Sequence, residues 1–310
     1  MKKSQTDTRE LMVTIRCLVY NHEPYLRQCL DGFVMQKTNF RFEAIVHDDA
    51  STDGSAEIIR EYAEKYPNII KPIFETENQY SKRDGSIRRI MNAHTHGKYV
   101  ALCEGDDYWI DPLKLQKQVD FMEANPDCNL VCTRAKVYSQ RKKAFLYELG
   151  ENTTDFAELL TKNTIATLTV VYRKSSTQGF EDFVKGNTWR MGDYPLWLYI
   201  SMQGRIHFIN EVTSVYRLLA ESASHSKSYL TAKNFQDSTY DIQQFFSKYC
   251  KKELNQVLKN NHYYRCFCLA FHYKEFKEAV MFYEETVNYT FTLKDKLKYL
   301  ICRFCILWNA

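Results

Sequence analysis

Four carboxylates stand within eight positions of the stretch ALCEGDDYWIDP: Glu104, Asp106, Asp107 and Asp111. Acids this close disfavour one another's ionised form unless a cation or a set of hydrogen-bond donors holds them. A hard divalent ion, Mn2+ or Mg2+, meets that need with oxygen ligands. Mg2+ in particular is usually shared between one or two carboxylates and the phosphates of a substrate. Metal with phosphate points to a nucleotide. A second acidic stretch, HDDASTDGS at 47–55, puts Asp48, Asp49 and Ser51 where they could receive a base and a ribose, since carboxylates accept from imide N–H and hydroxyl donors. Taken alone, this stretch is a polar turn, with Asp53 and Gly54 as turn and cap residues of the next helix. In a third stretch, RMGDYPLWL, Asp193 follows a flexible glycine and precedes a proline that opens a helix. The helix dipole there would favour the ionised carboxylate, the form a general base requires.

The elements that must position these acids follow from the pattern around them. From Leu11 the chain alternates strand-like and helix-like runs: LMVTIRCLVY, EPYLRQCLDGFVMQ, FEAIVHDD, SAEIIREYAEKY, NIIKPIFE and GKYVALCE. This β-α-β-α order predicts an α/β fold with a Rossmann-like, mostly parallel sheet and helices on both faces. Ligands of such sheets bind at the carboxyl ends of strands. That rule selects YNHE (20–23), HDDASTDGS (47–55) and EGDDYW (104–109), all polar or acidic. Asp111 fits an N-cap and Pro112 a first helical position, launching LKLQKQVDFMEA. The polar segment 75–92 is expected as a loop leading into a short helix. Past Val131 the order loosens into strand-like ATLTVVY (166–172), helix-like GDYPLWLYISMQ (192–203), and strand-like RIHFIN and TSVYRL.

Beyond about Ser226 the sequence is helical throughout, which divides the chain into a main domain over 1–225 and a helical extension over 226–310. The stretch LKDKLKYLICRFCILW (293–308) is apolar and basic together, too short and too charged to span a bilayer. It fits either a helix lying on a membrane surface or a final docking helix.

With 310 residues, 45% of them apolar, the chain can bury a large core. Its net charge of +4 comes from interspersed acids and bases, without the basic stripe that nucleic-acid binding needs. The first residues contain no unbroken apolar core followed by a cleavage site, so a cytoplasmic location is expected. Ten scattered cysteines then read as reduced thiols, with Cys17 and Cys103 inside buried strands. Cys266/Cys268 and Cys302/Cys305 lie in helical, aromatic-rich sequence that lacks the turn residues of a zinc knuckle, so packing is the expected role. The sequons at Asn152 and Asn288 carry no weight without secretion.

Four stretches in this order and spacing, VTIRCLVYNHEPYLRQCLDGFVMQ, HDDASTDGS, GKYVALCEGDDYWIDPLKLQKQ and GDYPLWL, resemble the family-2 glycosyltransferases of bacteria, which have the GT-A fold. The resemblance runs from about Leu11 to Arg217. It implies that Tyr20, Asp48 and Asp49 line the nucleobase and ribose site, and that Asn21, Ser51, Glu104 and Asp106 belong with them to the nucleotide-binding residues. Glu104, Asp106 and Asp107 occupy the family's Asp-x-Asp motif, with Asp106 and Asp107 as the diphosphate and metal pair. Glu104 stands where Asp is commoner, which leaves its role open between metal, ribose hydroxyl and neither. Asp193 falls where the family carries its catalytic base. Arg217 and His225 fall in a loop expected to close over the diphosphate. Trp109 and Trp189 could flank a sugar, although bulky packing is the simpler role for each.

The resemblance implies an inverting transfer from a nucleotide-diphosphate sugar, by default a UDP-sugar, to a hydroxyl of a glycan or lipid-linked acceptor in surface polysaccharide synthesis. The enzyme would sit in the cytoplasm, in peripheral contact with the membrane's inner face through 293–308. Two other readings remain open on the residues. One is a non-catalytic nucleotide-sugar or glycan-binding protein on the same fold. The other is a metal-dependent phosphatase with an aspartyl nucleophile in HDDAST, which would need a covalent intermediate.

Overall fold

The computed structural model describes residues 9–153, 155–219, 228–250, 254–287 and 289–308. Twenty strands and α-helices follow one another among them. They are β1 (Leu11–Val19), α1 (Glu23–Val34), β2 (Arg41–Asp48), α2 (Ser55–Lys65), β3 (Ile70–Phe74), α3 (Ser86–Ala93), β4 (Tyr99–Leu102), β5 (Tyr108–Trp109), α4 (Lys114–Ala124) and β6 (Cys128–Ser139). Then come β7 (Ala144–Leu149), α5 (Phe156–Thr161), β8 (Val171–Arg173), α6 (Phe180–Phe183), α7 (Asp193–Gln203), β9 (Arg205–Leu218), α8 (Tyr229–Ser247), α9 (Leu254–His272), α10 (Phe276–Glu284) and α11 (Leu293–Trp308).

The chain forms two compact units. The first takes in the chain up to Asp155, with Thr164–Phe183 and Tyr199–Leu218. The second takes in Phe156–Asn163, Val184–Leu198 and the chain from Leu219 onward.

In the first unit the sheet order is β3-β2-β1-β4-β8-β6-β9-β5, with β7 on the side of β6. The pairings among β3, β2, β1 and β4 are all parallel, as are those of β6 with β9. β8 runs antiparallel to both β4 and β6, and β5 antiparallel to β9. Strands covered on both faces read as near-continuous apolar runs, and β2 is buried at seven consecutive positions. Helix α1 carries Pro24 in its first turn and buries Leu26, Cys29, Leu30 and Phe33, one stripe at helical spacing. These side chains join Ile15, Cys17, Trp109 and Leu115 in a single core.

Four local expectations change. Asp111 does not cap α4: its Oδ1 accepts from the Leu113 amide at 2.8 Å, a side-chain-to-backbone turn, and the helix begins at Lys114. ATLTVVY is a 3-10 turn at Thr167–Thr169 followed by the short β8. RIHFIN and TSVYRL are one strand, β9, made continuous by irregular register against β6 around Arg134. Cys128–Ser139 is a full strand where the sequence appeared to loosen.

The second unit is helical, and its core contains Cys266, Phe267, Ala270, Ala279, Phe282 and Cys302. All ten cysteines are free.

Candidate active site

The order 3-2-1-4 places a topological switch between β1 and β4: successive crossovers step from β1 to β2 to β3, and the chain then returns to the other side of β1. The crevice outside such a switch is where open α/β sheets bind ligands. Here the three strand ends are tied into one rim. The Asp49 amide donates to Val19 O at 2.9 Å and the Gly105 amide to Leu18 O at 3.0 Å. A Cβ on Gly105 would stand 2.7 Å from His22 Nδ1 and 3.0 Å from Val19 Cγ2. Glycine is therefore what lets the acidic loop lie against the turn between β1 and α1.

On that loop Asp107 is buried, and its Oδ1 accepts from the Arg217 amide at 2.7 Å. Burial pushes the Asp107 carboxyl well above the usual carboxylate range, and Asp106 beside it pushes further. Asp106 is half-buried, and its carboxylate accepts no hydrogen bond among the described residues. Two adjacent carboxylates, one desolvated and the other uncompensated, fit a divalent cation shared with a diphosphate. Glu104 is exposed and does not close a three-acid cage: among the described residues the oxygens of Glu104, Asp106 and Asp107 do not converge within 4.8 Å.

Arg217 corrects an expectation. It is not on a closing loop but within β9, paired with Tyr138, and is 6% exposed. Its Nε donates to Asp106 O at 2.7 Å and a terminal nitrogen to Gln28 Oε1 at 2.8 Å. The rings of Tyr25 and Tyr108 lie 4.9 Å from the guanidinium on either account. A planar cation that stacks on aromatic faces and forks between acceptors can be buried in a strand, and this one fixes the acidic loop by its backbone. His225 lies outside the described residues.

The second strand end divides its labour. Asp49 Oδ1 and Oδ2 accept from the amides of Gln79 and Tyr80 at 2.6 and 3.0 Å, so this buried carboxylate anchors the polar segment 75–82. Asp48 is equally buried, but its Oδ1 has no partner and its Oδ2 takes only a long bond of 3.4 Å from the Ser51 amide. A buried acceptor without a donor is costly unless a ligand completes it. Asn21 and Ser51 are engaged with their surroundings: the Asn21 amide donates to Ser51 Oγ at 2.9 Å, and Asn21 Oδ1 accepts from the Thr52 amide at 2.7 Å. Asn21 and Ala50 both hold positive φ, 55° and 60°, at these two strand ends. Backbone strain of this kind collects at binding sites. Tyr20 stands exposed at the end of β1.

Two further polar residues, one on the rim and one buried against Trp109, carry no expectation from their types. His22 has a buried Nδ1 without a partner, and burial lowers its pKa although Asp106 and Asp53 oppose this. Its place in YNHE, directly after the first strand, was the available signal. Lys114 is fully buried, 2.7 Å from Gln118 Oε1 and 4.4 Å over the Trp109 ring, and burial brings its pKa down to about 7. Trp109 itself is core: it is buried against Phe33, and its indole donates to Leu168 O at 2.9 Å.

Asp193 and Trp189 belong to the second unit. Asp193 is the first residue of α7, half-buried, and its Oδ1 accepts from the Tyr194 amide at 2.8 Å. Trp189 packs edge-on against Phe245, with ring centres 5.2 Å apart.

Residues 17–178, just over half of the chain, match the sequence pattern of glycosyl transferase family 2. The chain belongs to that family. An uncharacterized protein of Mycobacterium tuberculosis is 35% identical over 225 residues, covering 69% of this chain and 61% of that one. The chain thus spans about three fifths of the length of the first curated relatives it matches. TuaG of Bacillus subtilis, named for teichuronic acid biosynthesis as a glycosyltransferase, is 28% identical over 70% of this chain and 82% of its own. Among solved structures, S. aureus TarS 1–349 in complex with UDP-GlcNAc superposes with a TM-score of 0.61 at 15% identity, over 94% of this chain and 79% of that one. The mannosyltransferase PcManGT from Pyrobaculum calidifontis, in complex with GDP-Man and Mn2+, gives 0.57 at 18% identity, over 98% and 82%. The α/β fold expected from the sequence is the fold found, GT-A with a helical C-terminal region.

Proposed function

We propose that this family-2 chain is a metal-dependent, inverting glycosyltransferase. It would move a sugar from a nucleotide-diphosphate donor, a UDP-sugar by default, to a hydroxyl of a glycan or lipid-linked acceptor in surface polysaccharide synthesis. The observation that carries the reading is the pairing at one rim of two unmet needs: the desolvated Asp107 beside Asp106, which calls for a cation, and the orphaned Asp48 Oδ1, which calls for a donor. A nucleoside diphosphate supplies both through an imide N–H and a chelating diphosphate. Asp106 and Asp107 would hold the Mn2+ or Mg2+, and a bound ion of this kind stabilises charge developing on a departing diphosphate. Asp48 would orient the base. Asp193 would take the proton of the acceptor hydroxyl as that oxygen attacks, a single displacement with inversion and no covalent intermediate.

The same chain carries an uncovered apolar stripe on α11, flanked by Lys294 and Lys296, which supports attachment to an anionic membrane surface near a lipid-linked acceptor. No helix among the described residues is long and apolar enough to cross a membrane.

The test incubates the full chain and its Asp193→Asn variant with a panel of nucleotide sugars, Mn2+ or Mg2+, and candidate acceptors, reading release of the nucleoside diphosphate. The variant should bind donor normally and turn over about 10²-fold or more slowly. Since Asn caps a helix about as well as Asp, a purely structural Asp193 would leave turnover unchanged. Donor binding without release would leave the binding-protein reading, and phosphate release from phosphomonoesters the phosphatase reading.

A further inference from the structure

Within the second unit, three side chains of different chemistry converge. Asp237 lies on α8, and His262 and Cys266 lie one turn apart on α9; one potential ligand atom from each falls within 4.8 Å of the other two. Nε2 of His262 is 3.6 Å from Asp237 Oδ1, and Cys266 Sγ lies 3.7 Å from Nε2 and 3.8 Å from Nδ1, so a shared ion would need a small turn of the thiol toward Nε2. At 3.6 Å the nitrogen and oxygen are too far apart for a hydrogen bond, and the thiol is at best a weak partner. Bonds of about 2.0–2.3 Å to one tetrahedral zinc ion would put such ligand atoms roughly 3.3–3.6 Å apart, close to the two separations seen about His262 Nε2.

The surroundings hold the three groups ready. The Tyr240 ring stacks on the imidazole with centres 4.4 Å apart and 8° between planes, which fixes the ring's orientation. The Lys233 ammonium binds Asp237 Oδ2 at 2.8 Å and leaves Oδ1 turned toward His262. An outer contact of this kind orients metal ligands. Asp237 also lines an open cavity of about 510 Å³ with Asn234, Asp241 and Arg190, so the aspartate end of the cluster meets space in which water could serve as a fourth ligand. Imidazole, thiolate and carboxylate together suit borderline-soft Zn2+ better than the hard ions an all-oxygen rim would take.

We propose that Asp237, His262 and Cys266 form a Zn2+ site that clips α8 to α9. Binding requires the thiol proton to pass to solvent and the sulfur to bond the ion as thiolate, while the imidazole binds neutral. Burial lowers the His262 pKa, which favours the neutral ring, and raises that of Cys266 to about 12, so the ion must drive the deprotonation.

Co2+ titration of the metal-free, reduced full chain tests this directly. The expected result is a thiolate-to-cobalt charge-transfer band, displaced by equimolar Zn2+, with tetrahedral visible bands. The band should persist in Asp107→Asn, which separates this site from the rim, and vanish in Cys266→Ser. Should Cys266→Ser not fold, Asp237→Asn serves, since Asp237 is 36% exposed. Its Zn2+-induced rise in melting temperature should need at least tenfold more zinc than wild type. Absence of the band in wild type, its survival in a folded Cys266→Ser chain, or an unchanged Zn2+ response in Asp237→Asn would each overturn the proposal.

Discussion

The rim of the first unit and the α11 face of the second are opposite kinds of incompleteness. At the rim, polar groups are buried with capacity left over: Asp48 Oδ1 and His22 Nδ1 have no partner, and Asp107 is desolvated beside another acid. On α11 the buried carboxylate is matched, with Asp295 held by Thr292 and Lys298, and Arg303 pairs with Glu284, while Leu293, Leu297, Leu300, Phe304 and Leu307 stand in water. Unmet hydrogen-bonding capacity is costly and directional, so it selects a ligand by shape and charge. Uncovered apolar area is non-directional and selects only a surface. One protein can thus carry a specific and an unspecific contact without their chemistries overlapping.

The largest expected effect breaks the rim. Asp107→Asn preserves an acceptor for the Arg217 amide, so the fold should stand. Mn2+-dependent UDP affinity should fall by about 10²-fold or more, the several kcal/mol that a metal contributes to a diphosphate. Melting temperature without metal should hold or rise, because a buried carboxylate next to Asp106 is a cost that the amide removes. Calorimetry showing unchanged Mn2+-UDP affinity would remove the metal role from this loop.

A second experiment sharpens the contrast inside the rim, between neighbours that look alike. Asp49→Ala strips two backbone amides of their acceptor and should cost about 2–3 kcal/mol of stability by denaturant unfolding. Asp48→Ala loses one weak internal bond and should change stability little, yet lower UDP affinity by about tenfold, the worth of one hydrogen bond to a charged acceptor. If Asp49→Ala alone impaired nucleotide binding, the two roles would have to be exchanged.

How far the sequence foretold these differences depends on range. The four parallel strands show as apolar runs and their ends as acidic clusters, because burial on both faces and polarity at a strand's end are local properties. What divides Asp48 from Asp49 is not local: it is the approach of Gln79 and Tyr80, thirty residues on. Arg217 failed as a loop residue for the same reason, since Gln28, Tyr25, Tyr108 and Asp106 that bury its guanidinium come from distant segments. The polar Asn210 and Glu211 hid the continuity of β9, which only pairing with β6 restores. Cys266 is packed in a core as its sequence context suggested, but its approach to His262, one helical turn away, and to Asp237 on another helix is not legible from the cysteine spacing.

The smallest expected effect tests the other side of the comparison. On α11 the exposed Leu293, Leu297, Leu300, Phe304 and Leu307 recur every three or four residues, whereas Asp295 and Cys302 on another stripe are buried. Such a stripe can lie in a lipid interface, and Lys294 and Lys296 beside it add about 1 kcal/mol each at an anionic surface. The same spacing could instead pair two copies of the helix. Leu307 is 74% exposed, so Leu307→Ser removes apolar surface without disturbing the core of its unit. Sedimentation with vesicles containing anionic lipid should pellet wild type, and the variant about fivefold less strongly, one exposed leucine contributing roughly 1 kcal/mol when only part of it enters the interface. Neutral vesicles or high salt should weaken both, since the lysine contribution is screened. Equal pelleting of wild type and variant would remove the membrane reading. A lipid-free dimer of the wild-type chain that Leu307→Ser dissolves would reassign the stripe to a second copy.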